Sequence, residues 1–296
     1  MVKRRRRVDK RVFRAVGNVV LAVVLIAVAV LFILNYFGIK PGRLFAHTRD
    51  VSVHFIDVGQ GDAALVLTKE HAVLVDAGPV AAAGKTAEYV RSYTSKLDYV
   101  LISHPHEDHM GGLPKIIETV EVDAIIMTAD GSDSAFFTRT LDLIEEYGID
   151  VYEAKPRDLY RAGDITLEIL TPLRYHENKN DNSAAARVTV DGFSILFTGD
   201  TETEEEAELV AEYGDHLRSD VLKAAHHGSS TSTSREFLKC VSPSVAVISC
   251  GKGNEYGHPH ASVLKNLKKI GCEIHRTDNE GTVVIRIKDG KLKVSE

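Results

Sequence analysis

At 296 residues, 44 % hydrophobic and 26 % charged, with a formal net charge of −6 at pH 7, the chain has the size and composition of one large globular domain or two small ones. The acidic balance excludes a surface that attracts polyanions over its whole area. Cysteine usage excludes a disulfide framework, since Cys240, Cys250 and Cys272 allow one bridge at most and suit core packing better.

Apolar residues concentrate at the start. Residues 1–14 carry Lys3, Arg4, Arg5, Arg6, Arg7, Lys10, Arg11 and Arg14 against the single acid Asp9. Ala15–Phe37 then runs without a charge, long enough at about 1.5 Å per residue to cross roughly 30 Å of hydrocarbon. A cleavable signal peptide has a shorter apolar region and a small-residue cleavage site, and Leu44-Phe45-Ala46-His47 is a poor one. The pattern predicts a single-pass transmembrane anchor with the basic flank in the cytoplasm and the rest outside. Residues 38–50, with Pro41 and Gly42, read as a linker. Beyond residue 37 the chain holds 28 basic against 41 acidic side chains, a formal charge of −13. A nucleic-acid substrate would have to be held by a local cationic patch or by metal.

From Val51 strand follows strand. Val51–Val58, Ala63–Leu67 and His71–Val75 alternate or run apolar, and a helix over Ala82–Lys96 leads into the strand Leu97–Ile102. Leu113–Thr119 reads as a short helix, Asp123–Met127 as a strand and Ser134–Tyr147 as an amphipathic helix. Ile149–Glu153, Asp158–Tyr160, Ile165–Leu170, Ala184–Val190 and Phe193–Phe197 are strand-like, and Asp191-Gly192 is a type I′ hairpin signal. Helices over Glu202–Tyr213, Ser234–Cys240 and Ala261–Ile270 alternate with strands Asp220–Ala225 and Val245–Ser249, and two or three strands close the chain. Polar loops follow strand ends, and no linker divides residues 51–296. This predicts one α/β domain, two sheets packed face to face with helices outside.

The loop after Ile102, Ser-His-Pro-His-Glu-Asp-His-Met-Gly-Gly, places His104, His106, Asp108 and His109 within six positions. Imidazole and carboxylate suit Zn²⁺, Mn²⁺ or Fe. His104 and His106 alternate as on an extended segment and can close on one ion, while Asp108 and His109 start the next turn and face a second. A polar, histidine-rich surface loop is the plain alternative. Pro105 stiffens the loop, and Gly111 and Gly112 let the backbone turn.

Further polar residues sit at strand ends. Asp200 ends an apolar strand, where a carboxylate either bridges two metals or makes an Asx turn. In Lys223-Ala-Ala-His226-His227-Gly one histidine can bind metal while its neighbour contacts substrate or a ligand. Asp57 and Asp62 suit hydrogen bonding behind the ligands or ordinary turn chemistry, and Asp76 suits bracing of the metal loop. His258 and His260 precede a helix and either face substrate or simply start it.

His104-Pro-His106-Glu-Asp108-His109 resembles the His-x-His-x-Asp-His signature of the metallo-β-lactamase superfamily. The phrases FIDVGQGDA, LISHPHEDHMGG, ILFTGD, VLKAAHHGSSTS, GKGNEYGHPH and RTDNEGTVVI resemble the metallo-hydrolase domain of the ComEC family of DNA-uptake proteins, from about Val51 to Ile287. The resemblance implies a four-layer αββα sandwich with metals at the sheet edges. It implies His104 and His106 on a first ion, Asp108, His109 and His227 on a second, and Asp200 bridging. Another histidine completes the first site in many relatives; here the interval holds only His176, and Asn182 or water is expected to fill in. The channel-forming membrane segments of ComEC are absent from this sequence, so DNA transport does not follow.

The combined expectation is an extracytoplasmic hydrolase with two divalent ions, Zn or Mn, and a metal-bridged hydroxide. Asp108 and Asp200 would orient the nucleophile, and Lys223, His226 and His258 would hold a phosphate oxygen or protonate the leaving group. A phosphodiester, single-stranded DNA first, is the expected substrate. A cell-wall phosphodiester, a lactone or a lactam, or a catalytically weak surface binding module, is the alternative. No obligate protein partner is evident. If Ala15–Phe37 is an anchor, the full chain should stay with membranes through a carbonate wash, and protease added to intact cells should remove the domain. Release of a form starting near residue 47 would mean a cleaved signal peptide.

Overall fold

Short Val- and Ile-rich runs buried on both faces dominate the described chain, as expected for strands covered on one side by a second sheet and on the other by helices. The computed structural model describes residues 51–288 and 290–295; the predicted flank, anchor and linker lie outside the described residues. Among the described residues no helix is long and apolar enough to cross a membrane.

One sheet contains β1 (Val51–Phe55), β2 (Ala63–Leu67), β3 (Ala72–Ala77), β4 (Lys96–Ile102), β5 (Glu121–Met127), β6 (Asp150–Glu153), β14 (Val283–Lys288) and β15 (Lys291–Ser295), in the order β15-β14-β1-β2-β3-β4-β5-β6. The other contains β7 (Leu159–Ala162), β8 (Ile165–Ile169), β9 (Ala186–Val190), β10 (Phe193–Phe197), β11 (Val221–Lys223), β12 (Val245–Ile248) and β13 (Glu273–Arg276), in the order β13-β12-β11-β10-β9-β8-β7. Each sheet is half antiparallel and half parallel. The parallel strands β3 to β6 and β10 to β13 are joined by crossovers that carry helices. These are α1 (Ala83–Tyr93), α2 (Glu107–Met110), α3 (Leu113–Ile117) and α4 (Ala135–Tyr147) for the first sheet. For the second they are α5 (Thr203–Tyr213), α6 (Arg235–Val241) and α7 (Ala261–Lys269). A further single turn, α8 (Thr277–Glu280), follows β13.

Three apolar layers hold four structural layers together. Phe55, Val66, Phe193, Ile195, Phe197 and Ile285 fill the space between the sheets, where Phe55 and Phe197 pack 5.9 Å apart. Leu74, Val100, Leu113 and Leu143 seal the first sheet to its helices, and Leu196, Leu209, Phe237 and Leu267 seal the second. The arrangement is the αββα sandwich expected from the resemblance. Asp191 and Gly192 both take left-handed φ, 49° and 78°, and Val190 pairs with Phe193, the type I′ hairpin that the dipeptide predicts. The one-turn helix α8 was not foreseen, because four residues leave no helical period to read.

The parallel strands fix where chemistry collects. The carboxyl ends of β3, β4, β10, β11 and β12 open toward one edge of the sandwich, the place where ligands bind in α/β sheets.

One buried acid away from that edge sets a pH dependence. Glu206 of α5 accepts the backbone N–H groups of Thr233 and Ser234 and so holds the start of α6. Burial outweighs those bonds and lifts its carboxyl from 4.5 to about 7. The folded protein therefore keeps a proton that the unfolded chain releases above pH 4.5. The group's contribution to stability declines as pH rises from 4.5 to about 7, by up to roughly 3 kcal/mol. Urea unfolding at a series of pH values should show the parent losing stability relative to Glu206→Gln across that window. A constant difference between the two would exclude a titrating Glu206.

Candidate metal centre

The centre starts from a strained aspartate. Asp76 ends β3 with φ at 58°, a left-handed conformation unusual outside glycine, asparagine and aspartate. Its carboxylate accepts Ser103 N at 2.8 Å and Ser103 Oγ at 2.9 Å, tying β3 to the loop after β4. The same carboxylate stands 2.9 Å from His109 Nδ1. With Nδ1–H donated to Asp76, His109 turns Nε2 inward, buried and without a hydrogen-bond partner. Asp76 thus braces the metal loop, as its place at a strand end predicts.

The loop backbone is compressed. Gly111 and Gly112 have negative φ and continue the helical path, so turning is not what demands glycine there. Space is: a Cβ on Gly111 would lie 2.4 Å from Glu107 O, and one on Gly112 would lie 2.2 Å from Ala77 O.

Asp200, at the end of β10, is the pivot. Its Oδ1, buried and unpartnered, faces His109 Nε2 at 3.2 Å and His227 Nε2 at 3.7 Å. Its Oδ2 faces His104 Nε2 at 3.9 Å and His226 Nε2 at 3.7 Å. Asp108, in the first turn of α2, puts Oδ2 3.1 Å from His227 Nε2 and 3.9 Å from His109 Nε2. One donor atom from each of Asp108, His109, Asp200 and His227 lies within 4.8 Å of all the others. On the Oδ2 side His104 Nε2 and His106 Nδ1 stand 2.9 Å apart, and Ser103 Oγ, 3.0 Å from His104 Nδ1, fixes that ring.

The histidines after β11 are held by geometry that a sequence does not display. His226 and His227 both take left-handed φ, 48° and 52°, which sends their rings to different sides of the same turn. His227 is buried; its Nδ1 donates to Ser249 O at 3.0 Å, with Asp62 Oδ1 3.3 Å away, and Nε2 faces inward. His226 points Nδ1 at Glu202 Oε1, 3.1 Å away, and Nε2 at Asp200.

The electrostatics of the cluster favour a cation. Burial pulls His109 and His227 down, yet Asp200 with Asp76 and Asp108 raises His109 well above 6.5, and Asp200 with Asp62 lifts His227 to about 10. Burial alone would raise Asp200, and the surrounding imidazoles hold it well below the usual carboxylate range. A nitrogen–oxygen donor set with two orphaned buried atoms, His109 Nε2 and Asp200 Oδ1, fits a divalent metal ion.

Three expectations need correction. Lys223 does not face substrate: it is 3 % exposed, and its ammonium is bonded to Asp62 and to Ala224 O at 3.0 Å. A charge buried that deeply needs its carboxylate partner, so Lys223 acts behind the site through Asp62 and His227. Asn182 does not fill the first ion's gap, because its Oδ1 accepts His176 N at 2.7 Å and its Nδ2 donates to His176 O at 2.8 Å. Ser183 takes the adjoining space, with Oγ 3.4 Å from His104 Nδ1 and accepting Asp200 N at 3.1 Å. The histidine pair before α7 divides: His260 Nδ1 accepts Ser230 N and serves the turn, whereas the His258 ring packs 5.7 Å from His226 and 6.2 Å from His227. Burial and the neighbouring histidines lower His258 to about 4, and its Nδ1 is buried without a hydrogen-bond partner. Asp57 accepts Gly59 N in an Asx turn, while Asp62 lies behind the ligands. Ser103, Ser249 and Glu202 were not singled out from sequence; adjacency to His104 was the one signal for Ser103.

The Metallo-beta-lactamase superfamily model matches residues 56–252. The chain is 30 % identical over 261 residues to ComE operon protein 3 of Bacillus subtilis, covering 80 % of this chain and 33 % of that protein. It is 32 % identical over 268 residues to competence protein ComA of Neisseria gonorrhoeae, covering 90 % of this chain and 36 % of that protein. The chain thus spans about a third of the length of these relatives. Among solved structures the metallo-beta-lactamase fold protein YhfI from Bacillus subtilis aligns with a TM-score of 0.51 at 16 % identity, over 83 % of this chain and all of that one, a likeness of fold.

Because Asp200 faces donors on both of its oxygens, Asp200→Ala should lower the divalent-metal content of the purified protein on both sides of that carboxylate. Elemental analysis after loading with Zn²⁺ or Mn²⁺ checks this. Content equal to the parent would remove Asp200 from the ligands.

Proposed function

For this chain, which belongs to the metallo-beta-lactamase superfamily and is a metal-dependent hydrolase of the ComEC type, we propose a phosphodiester substrate, single-stranded DNA first, and a centre of two divalent ions, Zn or Mn. The reading includes an extracytoplasmic domain carried on the N-terminal anchor. The observation that carries the two-ion centre is the split of donors across Asp200: His109 and His227 face Oδ1 with Asp108 beside them, and His104 and His226 face Oδ2 with His106 beside His104. Relatives named for competence favour DNA among the phosphodiesters.

Divalent ions bound there would lower the pKa of water from 15.7 toward 7 and offset charge on a phosphoryl oxygen. The chain's own residues do the positioning. Asp108 and Asp200 accept hydrogen bonds from the attacking water and aim it; Asp108 is the more open of the two, with 31 % of its side chain exposed against 4 %. Asp76 and Ser249 hold the Nδ1 protons of His109 and His227, which keeps both Nε2 atoms turned inward. His258, whose ring meets both His226 and His227, suits a hydrogen bond to a phosphoryl oxygen. With a formal charge of −13 beyond residue 37, attraction of a polyanion must come from the ions themselves.

His226 admits a second role. Its Nδ1 lies against Glu202 and its Nε2 against the same Asp200 oxygen as His104, the posture of a metal-binding imidazole oriented by a carboxylate. In this role it replaces the histidine that relatives supply elsewhere. The inward-turned, unpartnered donor atoms speak for a centre that holds metal.

Metal analysis and hydrolysis rates of bis-p-nitrophenyl phosphate, single-stranded DNA and a lactam test these readings together. His227→Ala should lose metal from the Oδ1 side and recover part of its activity in excess Mn²⁺ or Zn²⁺. His226→Ala should lose metal from the Oδ2 side. Full metal content with a rate about 10²–10³ lower would instead make His226 a substrate contact. Parental phosphodiesterase rates and full metal content in both variants would sink the hydrolytic centre.

A further inference from the structure

One aromatic ring at the mouth has no part in the chemistry above. Tyr256 is 58 % exposed, and its ring lies 24° from parallel with His258 at a centroid distance of 5.6 Å. His258 in turn meets His226 and His227, so rings run without a break from solvent to the metal donors. Single exposed aromatics are common and need no explanation. The carrier of this one is unusual, because the loop beneath it has spent its polar groups holding itself still. Asn254 Oδ1 accepts His258 N at 2.9 Å, and Asn254 Nδ2 donates to His258 O at 2.7 Å and Gly251 O at 2.9 Å. Gly251 N donates to Gln60 Oε1 at 3.0 Å, pinning the loop to the turn after β1, and His260 N donates to Gly228 O at 2.9 Å, pinning it to the turn after β11. A rigid, half-stacked ring with its outer face open has little left to lose on meeting a flat ligand.

We propose that Tyr256, backed by His258, is a stacking subsite for a nucleobase adjoining the phosphodiester at the metals. The proposal rests on the phosphodiesterase reading and adds to it the part of the substrate that is not phosphate. A planar π-face accepts any base, and bases are open to it only in a single strand. Charge points the same way. A domain with 41 acidic against 28 basic side chains beyond residue 37 gains little from a long polyanion, so affinity beyond the phosphate held at the ions must come from uncharged contacts.

The test is equilibrium binding of two fluorescent phosphorothioate hexamers, one of thymidylate and one abasic, to the full chain in detergent, with Mn²⁺ and again with EDTA. The parent should bind the base-bearing hexamer about 10- to 100-fold more tightly than the abasic one. Tyr256→Ala should bring that ratio close to 1, and Tyr256→Phe should keep it. An unchanged ratio in Tyr256→Ala, or a parent without preference, overturns the subsite. Equal loss of affinity for both hexamers also overturns it, since the ring would then pack on sugar. Retained base preference in a protein that cleaves no phosphodiester supports the subsite and rejects the reaction class instead.

Discussion

Four carboxylates share one small volume at the edge of this sandwich, and they need positive charge. Asp62, Asp76 and Asp200 are buried, and Asp108 is partly so. In the protein alone the compensation comes from Lys223 and from protons on His109 and His227. Carboxylates this close cannot all stay ionised without cations between them. Much of the local architecture answers that constraint: the left-handed turns at Asp76 and His226-His227, the serine hydroxyl between Asp76 and His104, and the glycines squeezed against carbonyls. Divalent cations are a better solution to the same electrostatic problem than protons are.

The two sheets make this constraint reachable. Each has an antiparallel half and a parallel half, and the parallel halves present their carboxyl ends at the same edge. Asp76, His104, His106, Asp108 and His109 come from the first sheet, Asp200, His226, His227 and Ser249 from the second. The Lys223–Asp62 pair joins strand β11 of one sheet to the start of β2 in the other, directly behind His227. The centre is therefore a joint between the sheets, and its geometry depends on their packing through Phe55 and Phe197.

Much of this was legible in the residues. Strand alternation, the Asp191-Gly192 turn and the helices between later strands indicate the two-sheet architecture without aid, and the cluster from His104 to His109 marks the centre because so many donors in so few positions have little other use. Polar residues whose partners lie far away in sequence were not legible. Lys223 after an apolar strand looks like a surface cation, and its partner Asp62 is 161 positions earlier. Asn182 looks like a spare ligand, and only the structure reveals both ends of its amide engaged by His176. Tyr256 was passed over because a lone tyrosine in a Gly-rich loop carries no pattern; its significance lies in the ring beside it.

The position of β1 has a consequence for how the chain is made. β1 lies inside the first sheet, between β2 and β14, so Val51 waits for Ile287 as its neighbour. Synthesis, or any N-to-C threading through a membrane, delivers β1 before every other described strand and β14 after all of them but β15. Until then the flank of β1 is an unpaired edge, open to the wrong strands, and the layer between the sheets lacks Val283, Ile285 and Ile287. Closing so long a loop is slow, and the bare edge is open to mispairing for that time. Completion of the fold waits on β14.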